Sequence, residues 1–113
     1  MNGRRLCVTW SRMVPRNMGY RASSASSTAR CVTGEYDFVS RFFSPHTGIP
    51  EDPVTGLGHC ILTPYWAQKL DKDKFVAYQA SARGGTVWCR LGKDRVYLGG
   101  KAVTLISGEV LRQ

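Results

Sequence analysis

Residues 48–70 read GIPEDPVTGLGHCILTPYWAQKL, and the way this stretch divides decides the fold. Its first part belongs to a loop spanning 44–55, where three prolines remove backbone donors and Gly48 loosens the chain. From Gly56 to Leu70 the span has helical length. Lys69 stands near its end, where the helix dipole favours a cation, and Asp71-Lys72-Asp73-Lys74 turns the chain away. Pro64 lies inside this helix and has no N–H for the carbonyl of Cys60, which predicts a kink there or a break into two short helices.

Upstream, Tyr36 to Phe43 is short, aromatic and β-branched and ends in Ser44-Pro45, which reads as a strand entering the loop. Downstream, five short strands are predicted over Phe75–Ala82, Thr86–Leu91, Arg95–Leu98, Ala102–Ile106 and Glu109–Leu111. Turns rich in glycine, or built from Gly-Lys-Asp and Ser-Gly, separate them. Strand, loop, helix and then a meander make an α+β pattern. An antiparallel sheet wrapped around one central helix fits this spacing better than a βαβ array.

The chain has 113 residues, enough for one domain and short for two. Its 42% hydrophobic and 21% charged residues exclude disorder over the whole length, and no apolar run is long enough for a membrane-spanning helix. The net charge of +8 is uneven: residues 1–30 hold six arginines and no acid, and the remainder carries only +2. No basic stripe interleaved with stacking aromatics runs through the body, so nucleic acid is not an expected partner. Residues 1–30 have the Arg- and Ser-rich, acid-poor composition of an organellar transit peptide or of a disordered leader, and residues 31–113 form the expected domain. The expected compartment is the cytoplasm, or an organelle if the leader acts as a transit peptide. Cysteines 7, 31, 60 and 89 include no CxxC and no closely spaced Cys/His ligand pairs, so no metal site is expected and free thiols are the default reading.

Chemistry concentrates at the helix entrance. The first amides of a helix have no internal partner and sit at the positive end of its dipole; glycines at 56 and 58 let an anion approach them closely. A carboxylate would suit the amides of Gly56, Leu57 and Gly58. Asp52 stands beside them, placed to accept a hydrogen bond from a ligand amine or hydroxyl or to exchange a proton with it. The competing reading makes Asp52 an ordinary N-cap with Pro53 in the first turn and the glycines mere packing residues. His59 and Cys60 are adjacent on the helix and point about 100° apart, so they do not form a nucleophilic dyad; His59 is assigned to local capping or to the cleft lining. Arg41 and Arg83 are further candidates, and His46 in the loop is equally open to a solvated role.

The run DFVSRFFSPHTGIPEDPVTGLGHC (37–60), followed by PYWAQKL (64–70), FVAYQASARGG (75–85), RVYLGGKAVT (95–104) and a closing short strand, resembles the C-terminal half of the phenazine-biosynthesis-like (PhzF) isomerase family. The resemblance covers about residues 31–113. It implies one half of a diaminopimelate-epimerase-like fold, in which two pseudo-symmetric halves wrap sheet around central helices and hold the site between them. It further implies cofactor-independent proton-transfer isomerisation of a small carboxylate-bearing compound. Asp52 matches the family's EDP aspartate, the catalytic position carried over here, and Gly56 matches its glycine before the helix. Two departures accompany the match: Leu57 and Gly58 stand where the family carries Ser within TGSA, and the family's proton-transferring Glu lies in an N-terminal half that this sequence lacks. A fragment is therefore expected, completed by a homodimer partner or by the missing half. The alternative is a catalytically silent interaction or oligomerisation module built on the same fold.

Overall fold

Along Phe38–Phe43 the side chains of Phe38, Ser40 and Phe42 are buried, whereas Val39, Arg41 and Phe43 face outward to varying degrees; this alternation defines the core face of a strand. The structure is a computed structural model and describes residues 7–9, 24–29 and 34–112. Strands β1 (Cys7–Thr9), β2 (Ser24–Ala29), β3 (Phe38–Phe43), β4 (Lys74–Gln79), β5 (Gly85–Leu91) and β6 (Val96–Gly99) lie side by side in chain order. A short 3-10 turn, Pro45–Thr47, and the helix α1 (Gly56–Leu70) stand between β3 and β4. The leader read over 1–30 lies mostly outside the described residues. Its two described stretches are β1 and β2, with β2 paired antiparallel to β3.

The helix has the predicted bounds. It runs unbroken through Pro64, so the expected division into two short helices does not occur. Pro64 points to solvent, where its ring needs no room in the core, and the Thr63 hydroxyl donates to the His59 carbonyl at 2.6 Å, engaging an oxygen one residue before the one Pro64 leaves without a donor. The helix stops at Asp71, whose left-handed backbone (φ 50°) is tolerable for Asp.

The expected antiparallel sheet is mixed. β3 and β4 run parallel, Phe38 opposite Ala77, because α1 carries the chain back to the end from which β3 started; every other neighbouring pair is antiparallel. Asp37 fixes this register. Its amide donates to the Val76 carbonyl, its carboxylate accepts from the Val76 amide at 2.7 Å, and its other oxygen pairs with Lys72. Between helix and sheet lie Phe38, Leu62, Trp66, Phe75, Ala77, Val87 and Cys89, with Phe38 in ring contact with both Trp66 and Phe75. Burial raises the Cys89 thiol's pKa, which keeps it protonated and unreactive.

The two last predicted strands, Ala102–Ile106 and Glu109–Leu111, do not form. Residues 100–112 are unpaired and exposed throughout. Turning back at Gly99-Gly100 would require the positive φ of a tight hairpin, and neither glycine adopts it.

Candidate functional site

The helix begins one turn later than an Asp52 N-cap would place it. Thr55 is the N-cap residue, in extended backbone, and its side chain caps no helix amide. Its hydroxyl is turned the other way and donates to Asp52 Oδ2 at 2.5 Å. A capping threonine ordinarily satisfies one of the free first-turn amides; here the hydroxyl is held by Asp52 and accepts from none of them, so the amides of Gly56, Leu57 and Gly58 have no partner among the described residues.

Gln79 holds this arrangement from below. It occupies the core parity of β4 after Phe75 and Ala77 and is 1% exposed. Its Oε1 accepts from the Thr55 amide at 2.7 Å, and its Nε2 donates to the Asp52 carbonyl at 2.7 Å and to the Thr55 hydroxyl at 3.1 Å. The Asp52 amide in turn donates to the Phe42 carbonyl at 2.9 Å. One buried amide side chain thus ties the loop to the sheet on both sides of Pro53-Val54. Asp52 itself is half-buried, and its Oδ1 carries no partner among the described residues.

His59 is buried, so its side chain does not line an open cleft in this chain. Its Nδ1 lies 2.7 Å from the Thr55 carbonyl, and since a carbonyl only accepts, the proton sits on Nδ1. Burial lowers its pKa, outweighing that hydrogen bond, so the ring is neutral with Nε2 bare and without a partner.

The two entrance glycines separate by role. A Cβ on Gly58 would press on the Phe42 ring at 3.3 Å, so Gly58 permits close packing of helix on β3, whereas Gly56 is exposed with only Leu98 near its Cβ position. Leu57 is exposed. Gly56 and Val54 form one wall of an open pocket of about 560 Å³ whose other walls are Arg83 to Val87 and Leu98 to Lys101. Its two charged lining residues, Arg83 and Lys101, are both cationic. The β4–β5 loop is fitted to this place: the Ser81 hydroxyl donates to the Pro53 carbonyl at 2.8 Å and accepts from the Gly84 amide at 2.9 Å. Gly84 has φ +71°, and a Cβ there would collide with the Tyr78 hydroxyl; one on Gly85 would collide with Val54.

The structure therefore brings Gly56 together with Arg83, as sequence reasoning allowed, and adds Lys101. Asp52 and Leu57 stand outside the pocket lining. Arg41 is committed elsewhere: it forms a two-pronged pair with Glu51 at 2.8 and 3.0 Å, which lowers the pKa of the Glu51 carboxyl. Gln79 and Lys101 escaped the sequence reading. For Gln79 the available signal was a polar residue at a buried position of an alternating strand. Among the described residues no three His, Cys, Asp or Glu side chains gather as a metal site, and no helix is long and apolar enough to cross a membrane.

A mixed sheet packed on one helix, with a loop carrying Glu51 and Asp52 leading into uncapped amides at the helix start, defines an α+β fold. The chain belongs to the phenazine biosynthesis-like (PhzF) family: the family model described as phenazine biosynthesis-like protein matches residues 15–108. An uncharacterized isomerase of Halalkalibacterium halodurans is 54% identical over 84 residues, which are 74% of this chain and 32% of that protein. Mouse phenazine biosynthesis-like domain-containing protein 1 is 48% identical over 67% of this chain and 27% of its own length. Among solved structures, a PhzF-family phenazine biosynthesis protein of Enterococcus faecalis superposes with a TM-score of 0.61 at 44% identity, over 68% of this chain and 30% of that one. The chain spans about a third of the length of the curated relatives it matches. The homologues support an isomerase-like family.

Proposed function

We propose that this chain supplies the carboxylate-binding half of a PhzF-type isomerase site. The reaction is a cofactor-independent proton shift within a small carboxylate-bearing compound. One observation carries the reading: the Thr55 hydroxyl is drawn to Asp52, which leaves the first-turn amides open beside the cationic pocket of Arg83 and Lys101. A substrate carboxylate docks on the Gly56 and Leu57 amides, attracted by the helix dipole and the two cations. Asp52 Oδ1 accepts from a substrate amine or hydroxyl and orients it. The acid/base Glu comes from residues outside this chain, supplied by a partner or by a longer product. His59 acts through Thr55, holding the carbonyl of the cap residue, and touches no ligand.

The test is titration of the isotopically labelled chain with anthranilate, followed through backbone amide signals. Shifts at Gly56, Leu57 and Gly58 are expected, weak because the opposing half is absent. In Asp52→Asn, whose amide oxygen can still accept from the Thr55 hydroxyl, preference for anthranilate over benzoate should fall while benzoate binding persists. Shifts that avoid residues 52–59 and the Arg83–Lys101 pocket would overturn the reading. The fully exposed aliphatic residues after Gly100 favour a second reading, an association module on the same fold.

A further inference from the structure

On the sheet face turned away from α1, two rows of side chains cross β4, β5 and β6. Burial alternates along β4 and β5, so Phe75, Ala77, Val87 and Cys89 enter the core while Lys74, Val76, Trp88 and Arg90 face outward. The register sets Lys74 opposite Arg90 and Arg90 opposite Tyr97; in the next row Val76 stands opposite Trp88 and Trp88 opposite Gly99. These rows line an open pocket of about 500 Å³, a size suited to a small ligand. It shares Leu98 and Gly99 with the pocket at the helix entrance and no other lining residue. Its free charge is of one sign. The Asp37 carboxylate is taken by the Val76 amide and the Lys72 ammonium, each at 2.7 Å. Lys74 and Arg90 form no ion pair among the described residues, and like charges directly opposite on neighbouring strands repel. An anion shared between them relieves that repulsion.

We infer that this face binds a planar aromatic phosphate of the size of a mononucleotide: the ring stacks on Trp88 and the phosphate bridges Lys74 and Arg90. Two adjacent cations match the double charge of a phosphate monoester, whereas a carboxylate would neutralise only one of them. Arg90 is already oriented for the task, because its guanidinium lies over the Tyr97 ring at 4.1 Å, which fixes its plane and leaves its N–H edge for an oxyanion. Trp88 is 40% exposed, and Gly99 opposite it places no side chain alongside, so a flat ring has room there. The Lys101 ammonium stands 5.9 Å from the Trp88 ring, at the outer limit of a cation–π contact, and its flexible stem yields to a stacking ring. Linear reading finds no basic stripe interleaved with aromatics, because these residues are scattered over 74–99 and only the register of three strands gathers them.

Titration of the isotopically labelled 113-residue chain with adenosine monophosphate tests the inference, with ribose 5-phosphate and adenosine as the two halves of the ligand. The Trp88 indole N–H and the amides of 74–76, 88–90 and 97–99 should shift, and anthranilate should not displace the nucleotide. Trp88→Leu should weaken adenosine monophosphate by about fivefold or more, the usual value of one stacked base, and leave ribose 5-phosphate unchanged; Trp88→Phe, which keeps a stacking face, should restore most of the loss. Lys74→Gln with Arg90→Gln should weaken both phosphates and leave adenosine unchanged. All three side chains are exposed, so circular dichroism of the variants should match the parent. The inference is overturned by adenosine monophosphate that binds no more tightly than ribose 5-phosphate, or by shifts confined to Gly56–Gly58 and Arg83. It is equally overturned by Trp88→Leu with undiminished affinity, or by a chain that binds an oligoadenylate and not the mononucleotide, which would make the face a nucleic-acid surface instead.

Discussion

Replacing Gln79 with Leu keeps the volume of a buried side chain and removes every hydrogen bond it makes. Gln79 bridges the Thr55 amide, the Asp52 carbonyl and the Thr55 hydroxyl. The hydroxyl keeps Asp52 as a partner, so the loss falls on two backbone groups. An orphaned buried group costs about 1–3 kcal/mol. The Asp52 carbonyl lies in a part-buried contact where water can replace some of what is lost, so the expected destabilisation is about 2–4 kcal/mol. Domains of this size are stable by about 5–15 kcal/mol, so the variant should remain mostly folded and measurable. Urea unfolding at neutral pH should show a lower midpoint with an unchanged slope. The amide signals of Gly56, Leu57 and Gly58 should move and anthranilate binding should weaken, because the loop that presents those amides has lost its anchor. A stability loss below about 0.5 kcal/mol, within the range of ordinary surface substitutions, would refute the claim that Gln79 holds the entrance together.

Restoring a hydroxyl at the helix start with Leu57→Ser should strengthen carboxylate binding by about 0.5–1.5 kcal/mol, the usual net value of one added hydrogen bond, as read by anthranilate titration. Gly84→Ala forces a side chain into left-handed backbone against the Tyr78 hydroxyl and should cost about 1–3 kcal/mol in urea unfolding, while Gly100→Ala, with open space around it, should be close to neutral. His59 has a lowered pKa in the folded chain, so the unfolded chain binds its proton first as pH falls below about 6.5. Its contribution to stability is therefore full above that pH and is lost towards the lowered folded value. Unfolding midpoints measured from pH 7 to pH 5 should decline, and His59→Gln should flatten that decline.

The parts of the fold that rest on local chemistry were legible in the sequence. The bounds of α1 follow from a proline-rich loop before it and a charged turn after it, and β4 and β5 follow from alternation between that charged turn and the glycine-containing turns downstream. What the sequence hid depends on pairing across distance. Nothing within Tyr36–Phe43 or Phe75–Ala82 tells whether those strands run parallel. The answer lies in where α1 returns the chain and in the Asp37 clamp on Val76. The tail shows the converse: Val103 to Ile106 has strand composition, yet composition makes a strand only where a second edge is within reach, and the backbone at Gly99-Gly100 carries it away from the edge of its own chain.

The helix entrance was legible as a choice between two readings, and a single hydroxyl separates them. Asp52, Pro53 and Thr55 would spell a conventional helix start if either Asp52 or Thr55 capped the first amides. Residue types alone permit that, because both side chains have the needed acceptor. The structure shows each engaged with the other: the Thr55 hydroxyl donates to Asp52, while Gln79, more than twenty residues away in sequence, holds the Thr55 amide and the Asp52 carbonyl. Held between Asp52, to which it donates, and Gln79, from which it accepts, the Thr55 hydroxyl makes no bond to the helix, so the free amides follow from a long-range contact that no local pattern encodes. The cationic pocket has the same origin. Arg83 and Lys101 are separated by two strands, and they line one pocket with Gly56 only because the β4–β5 and β5–β6 pairings bring both back to the start of α1.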